Sequence, residues 1–135
     1  MGIITGLAAF GFVFQIGTQN VPVGDDINYS NNGPLFNITH APGEEGITVE
    51  LAGVYDISFG IYTSQNNPQD WAVAVNDAIV AEFNGAGQTI VAAVTLDLNA
   101  GDIVTIRNVA TGGAEGATLR EEDTISSWVK INKLD

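Results

Sequence analysis

The chain has 135 residues, with 16 Asp and Glu against 4 Lys and Arg, for a formal net charge of −12. It is nonetheless 45% hydrophobic with a mean hydropathy of +0.18, which describes an apolar interior under an acidic surface rather than a disordered acidic tail. Four basic residues cannot neutralise many phosphates and an acidic surface is repelled by anionic lipid, so neither nucleic acid nor membrane is expected as a partner; with no cysteine there is no disulfide, thiol nucleophile or thiolate metal site.

The first element is apolar, from Gly2 to Ile16. It has no basic leader, and Gln15, Gly17, Thr18, Gln19 and Asn20 end it short of the roughly 20 residues a membrane helix needs. Phe10, Phe12 and Phe14 alternate along it, so it is read as a core strand. Turn-forming residues follow at Asn31-Asn32-Gly33-Pro34 and again from Ala41 to Gly46.

The clearest alternation runs from Val54 to Tyr62, with Tyr55, Ile57, Phe59 and Ile61 on one face and Asp56, Ser58 and Gly60 on the other. Trp71, Val73 and Val75 lead to Asn76-Asp77, a pair that predicts a hairpin returning through Ile79, Ala81 and Phe83. Ile90, Ala92, Val94, Leu96 and Leu98 alternate before a second turn at Asn99-Ala100-Gly101-Asp102. Strands over Ile103–Val109 and Ile125–Leu134 complete the series, and no segment holds a helical i, i+3, i+4, i+7 apolar pattern. About eight to ten short strands rich in β-branched and aromatic residues predict an all-β sandwich or jelly roll. No linker or composition break divides it, so residues 1–135 are expected to form one domain.

Candidate chemistry is sparse. The one histidine, His40, lies at a strand end with no Gly-x-Ser-x-Gly elbow elsewhere, so no catalytic residue is assigned and the chain is expected not to be an enzyme. Loop carboxylates at Asp25-Asp26, Glu44-Glu45 and Glu121-Glu122-Asp123 are hard-oxygen donors suited to calcium, but without EF-hand spacing; no cofactor is expected, with calcium left open and a transition metal on His40 and a carboxylate the weaker alternative. Gly85-Ala86-Gly87 and the Gly112–Gly116 run lack the Lys-Ser/Thr of a phosphate loop. Tyr62, Trp71 and Trp128 are the aromatics that could stack on sugar rings.

Several segments in order resemble a known family. They are Ala9-Phe10-Gly11-Phe12, Val21-Pro22-Val23, the run from Gly33 to His40, Gly53 to Phe59, Ala100 to Asn108, and the ending Ile131-Asn132-Lys133-Leu134. Together they resemble the C-terminal domain of BclA-type collagen-like exosporium glycoproteins of Bacillus and Clostridium. More distantly the chain is similar to C1q and tumour-necrosis-factor domains, with a Gly-x-Tyr-x-x-x-Phe strand at Gly53, Tyr55 and Phe59 and a Gly-Asp-x-Val turn at Gly101, Asp102 and Val104. The resemblance implies a ten-stranded antiparallel jelly roll forming a homotrimer on the spore surface or outside the cell. In relatives that trimer caps a collagen-like stalk, so a stalk and other exosporium proteins are the implied partners; this sequence has no Gly-x-y stalk of its own. A recognition head that binds a glycan or a host protein is the alternative.

Some runs are apolar on both faces, as where Val54 and Tyr62 stand opposite Ile57 and Phe59, and a second apolar face suggests burial against another subunit. Tyr55, Ile57, Phe59, Ile61, Val129 and Ile131 are accordingly the candidate core or trimer-interface residues. The acidic residues are expected on outer loops.

Overall fold

The alternation seen in the sequence becomes twelve strands and no helix in the computed structural model, which describes residues 6–135. In chain order they are β1 (Phe10–Ile16), β2 (Gln19–Pro22), β3 (Asn31–Phe36), β4 (Ile38–Thr39), β5 (Ile47–Val49), β6 (Gly53–Tyr62), β7 (Gln69–Val75), β8 (Ala78–Gly85), β9 (Thr89–Leu98), β10 (Ile103–Thr111), β11 (Gly116–Leu119) and β12 (Ile125–Lys133). Ten of them make two five-stranded sheets, ordered β3-β1-β12-β6-β9 and β4-β5-β10-β7-β8; β2 and β11 pair as a separate ribbon. All pairings are antiparallel, and chain neighbours are often distant within a sheet. That is the crossing connectivity of a jelly roll rather than a meander.

The two sheets face each other across one core. From β6, Tyr55, Ile57, Phe59 and Ile61 are fully buried; β12 adds Val129 and Ile131, each 1% exposed. The opposite sheet answers with Trp71 and Val73 of β7 and Val104 and Ile106 of β10, and the Phe59 ring meets Phe83 of β8 edge-on at 5.7 Å. Each of these side chains contributes roughly 1.5–3 kcal/mol through the apolar area it removes from water. All six candidate core-or-interface residues therefore lie inside the chain's own sandwich.

Buried polar side chains are paired, apart from the Thr105 hydroxyl, which has no partner among the described residues. Trp71 Nε1 donates to Gln69 Oε1 at 3.1 Å, and Gln69 Nε2 donates to Thr63 Oγ1 at 2.8 Å. Tyr29, wholly buried, shares a 3.1 Å hydrogen bond with Ser127, and burial holds its phenol well above the usual tyrosine range. Asn108 Nδ2 donates to the Val21 carbonyl at 2.9 Å and so ties β2 to β10.

The turns follow from residue chemistry. Asn76 and Asp77 both take positive φ, 51° and 71°, the geometry that lets a two-residue loop follow the twist of a hairpin, and β7 pairs with β8 as the pair predicted. Gly101, at φ 90°, closes the expected turn between β9 and β10.

The first element is a strand, as expected, and it has two faces: Gly11, Val13 and Gln15 turn to the core, while the rings of Phe10, Phe12 and Phe14 stand half-buried on the outer side. Strand geometry sends alternate residues to opposite faces, and here the smaller set turned inward. Residues 2–5 of that predicted element lie outside the described residues.

The core assignment predicts an asymmetry in stability. Phe59→Ala should lower the unfolding free energy by about 3–5 kcal/mol, while Val23→Ala, at an exposed loop position, should change it by less than about 0.5 kcal/mol. Urea unfolding followed by circular dichroism measures both.

Candidate functional site: an aromatic sheet face

The outer face of the β3-β1-β12-β6-β9 sheet is built by the residues that alternate with the core set. Register aligns them in rows across the strands. Phe14 stands opposite Trp128, which stands opposite Gly60 and then Val91. The next row is Phe12, Lys130, Ser58 and Ala93, and the third is Phe36, Phe10, Asn132, Asp56 and Thr95. Sheets with one wet face normally alternate apolar inside with polar outside. Here the outer side of β1 is wholly aromatic up to Ile16, itself 41% exposed, and neither β1 nor β12 carries an Asp or Glu.

The rings lie along the sheet and pack on one another. Phe12 and Phe14 stack with centroids 5.3 Å apart, and Phe10 and Phe36 meet at 5.7 Å. Trp128 Nε1 donates to the Tyr62 hydroxyl at 3.0 Å, which satisfies the indole donor and fixes the ring. Two glycines make room for this. A Cβ on Gly60 would come 2.3 Å from Trp128 Nε1, and one on Gly33 would come 2.7 Å from the edge of the Phe12 ring. The indole thus lies across a bare stretch of β6 and the phenyl across a bare stretch of β3. Lys130 projects among them, its ammonium 5.8 Å from the Phe12 ring centre and 6.0 Å from that of Trp128. A cleft of about 320 Å³ opens here between Phe10, Phe12, Pro34, Lys130 and Asn132.

Exposed apolar residues extend the face to both edges: Phe36 on β3 is 50% exposed and Val91 on β9 is 61% exposed. A contiguous patch of this kind, dominated by aromatics and depleted of charge, has the composition of a protein–protein interface centre rather than of free surface.

The other residues singled out in the sequence do not converge on a reactive site. His40 is buried at 5% exposure, with Nδ1 2.5 Å from Asn32 Oδ1 and Nε2 2.8 Å from the Glu44 carbonyl. Both ring nitrogens are thereby occupied in tying the 41–46 loop to β3. Asp25, Asp26 and Glu45 meet Asp77 and Arg107 around a polar cleft of about 330 Å³. Within it Arg107 donates to both oxygens of Asp26, at 2.9 and 3.3 Å, and pairs with Asp77, and these carboxylates push its guanidinium further above its usual range. Among the described residues no three His, Asp or Glu side chains cluster closely enough to hold a metal ion. Glu121, Glu122 and Asp123 are exposed on a loop. Of the aromatics suggested for sugar stacking, Trp71 is wholly buried and bonded to Gln69, which removes it; Tyr62 and Trp128 are together on the outer face.

The sequence signal for this face is the alternation Phe10, Phe12, Phe14, which marks a strand without saying which way its rings point. Gly60 within an otherwise bulky strand was the second cue, since a glycine inside a strand marks a close approach by another group.

By sequence, no family model and no curated protein matches the chain. By structure, it is similar to Eiger TNF from S. frugiperda, at a TM-score of 0.74 and 17% identity over 97% of this chain and 94% of that one. It is also similar to the globular domain of zebrafish complement 1qA protein, at a TM-score of 0.67 and 14% identity over 93% and 95% of the two chains. Murine APRIL, in its pH 5.0 crystal structure, gives a TM-score of 0.69 at 9% identity over 93% and 98%. The fold is therefore an all-β jelly roll of the C1q/TNF type. No helix among the described residues is long and apolar enough to cross a membrane.

The glycine bed under Trp128 is directly testable. Gly60→Ala should force the indole off β6, breaking its bond to Tyr62, at a cost of about 1–3 kcal/mol in stability. Trp128 fluorescence should shift and lose intensity while far-ultraviolet circular dichroism stays that of an all-β fold; an unchanged spectrum would contradict the packing described.

Proposed function

We propose that the chain is a non-enzymatic assembly module, a homotrimeric jelly-roll head whose aromatic sheet face is covered by another copy of itself. The observation that carries this reading is the charge-poor outer face of β1 and β12, with Phe10, Phe12, Phe14 and Trp128 aligned on it, in a chain whose net charge is −12. Three such chains bring together a charge of about −36, and that repulsion has to be outweighed by apolar contact. Carboxylates on exposed loops such as Glu44, Glu45 and Glu121–Asp123, away from the rings, leave the face free to make that contact.

The resemblance to BclA-type exosporium domains extends the reading to a location. The head is displayed at the outer surface of a bacterial spore, its acidic loops outward, with a collagen-like stalk or other exosporium proteins as further partners. The likeness in fold to extracellular C1q and TNF domains supports display outside the cell. A second reading, a recognition head for a glycan or host protein, draws on Tyr62 and Trp128 presented side by side. It requires that face to be open in solution, so assembly and glycan binding there compete.

Light scattering at micromolar concentration decides between them. The expected mass is about 42 kDa for three chains of 14.1 kDa, and Phe12→Glu, which places a charge among the rings, should give a folded monomer. A wild-type mass near 14 kDa would overturn the assembly reading, and saturable binding on a glycan array by that monomer would establish the second. Antibody labelling of intact spores tests the location.

A further inference from the structure

Lys130 is out of place on the face just described. The chain has 4 basic residues; Arg107 is paired with Asp26 and Asp77, and Lys133 with Asp135. Among the described residues Lys130 makes no ion pair, yet it occupies the middle strand of the aromatic face, exposed between Phe12 and Trp128. Left open to water, an ammonium over two rings is comfortable. Once another copy covers the face, its water is stripped away, and two rings alone do not replace it. On its own sheet the nearest acid is Asp56, one row away and already accepting from Thr95 Oγ1 at 3.2 Å; the second source is the covering surface, and in a chain with 16 Asp and Glu the natural acceptor there is a carboxylate.

One strand offers a matching surface. Ile79 and Val80 of β8, exposed at 46% and 47%, sit at a bulge: Ile79 pairs with Ala74 and Ala81 with Val73, which leaves Val80 as the extra residue and breaks the usual alternation. Exposed Glu82, paired with Ala72, thereby falls on the same side of β8 as Ile79. β8 is an edge strand of the opposite sheet, so this strip and the aromatic face are different surfaces of the same molecule. An aliphatic pair with an acid one short step away complements rings with a lysine among them.

Resting on the assembly reading above, we infer that Lys130 of each copy pairs with Glu82 of the next, with Ile79 and Val80 laid against the aromatic face. Because the two surfaces differ, the contact is head-to-tail. Repeated around an axis it closes into a ring and cannot satisfy itself as a two-fold dimer, in which the same patch meets itself. The pair sets the register of one copy on the next, while the apolar contact supplies the bulk of the attraction.

A charge-swap cycle tests this. Wild type, Lys130→Glu, Glu82→Lys and the double variant are compared by sedimentation equilibrium, with circular dichroism confirming that each is folded; both positions are exposed, so the sandwich itself is undisturbed. Each single swap should weaken association at least about tenfold, and the double swap should recover the greater part of that loss. Either single variant associating like wild type would overturn the pairing, as would a double variant no tighter than the singles. A wild-type chain that stays monomeric fails at the earlier step and refutes the covered face along with the pair; a wild type that assembles while Lys130→Glu changes nothing refutes the pair alone.

Discussion

The arrangement of this molecule depends on one strand serving two surfaces. β12 lies in the middle of its sheet, between β1 and β6. Its inward residues, Ser127, Val129 and Ile131, close the core against the opposite sheet, and its outward residues, Trp128, Lys130 and Asn132, form the centre of the aromatic face. Because the side-chain period of a strand is two, these sets cannot be adjusted separately. A slip of one residue would carry Trp128 and Lys130 into the sandwich and expose Val129 and Ile131. The register that fills the core is thus the register that builds the outer face.

How much of this can be read from residues alone follows the same line. The architecture was legible because β6 and β9 alternate cleanly and because Asn76-Asp77 and Asn99–Asp102 carry turn chemistry. That Tyr55, Ile57, Phe59 and Ile61 share one face was also written in their spacing, with the polar Asp56 and Ser58 marking the other side, but spacing does not separate a core face from an interface. β1 offered no such mark. Phe10, Phe12 and Phe14 alternate with Gly11, Val13 and Gln15, so one face is bulkier and the other holds the polar residue, and bulk alone points to the wrong one as core. Gln15 turns inward and still finds acceptors and donors, donating to the Ile16 carbonyl at 3.2 Å and accepting from the Ser30 amide at 3.0 Å. A buried glutamine held by the amide of Ser30, on a distant part of the chain, is not visible in a local pattern. Long-range contacts decided the parity.

Charge and packing are divided between different parts of the molecule. Acidic side chains crowd the loops, where water screens them, and Arg107 gathers Asp26 and Asp77 at one place where the chain brings carboxylates together. The aromatic strands carry almost none. The division lets a strongly acidic chain keep a surface on which attraction is short-ranged and salt-insensitive.

The central place of β12 also governs when that surface can come into being. It is the last strand in the sequence, ending at Lys133, yet its neighbours include β1, which begins at Phe10. Until β12 has been synthesised, β1 and β6 each keep one edge unpaired, and the long loop closure makes folding slow. Until then the outer face does not exist as a face.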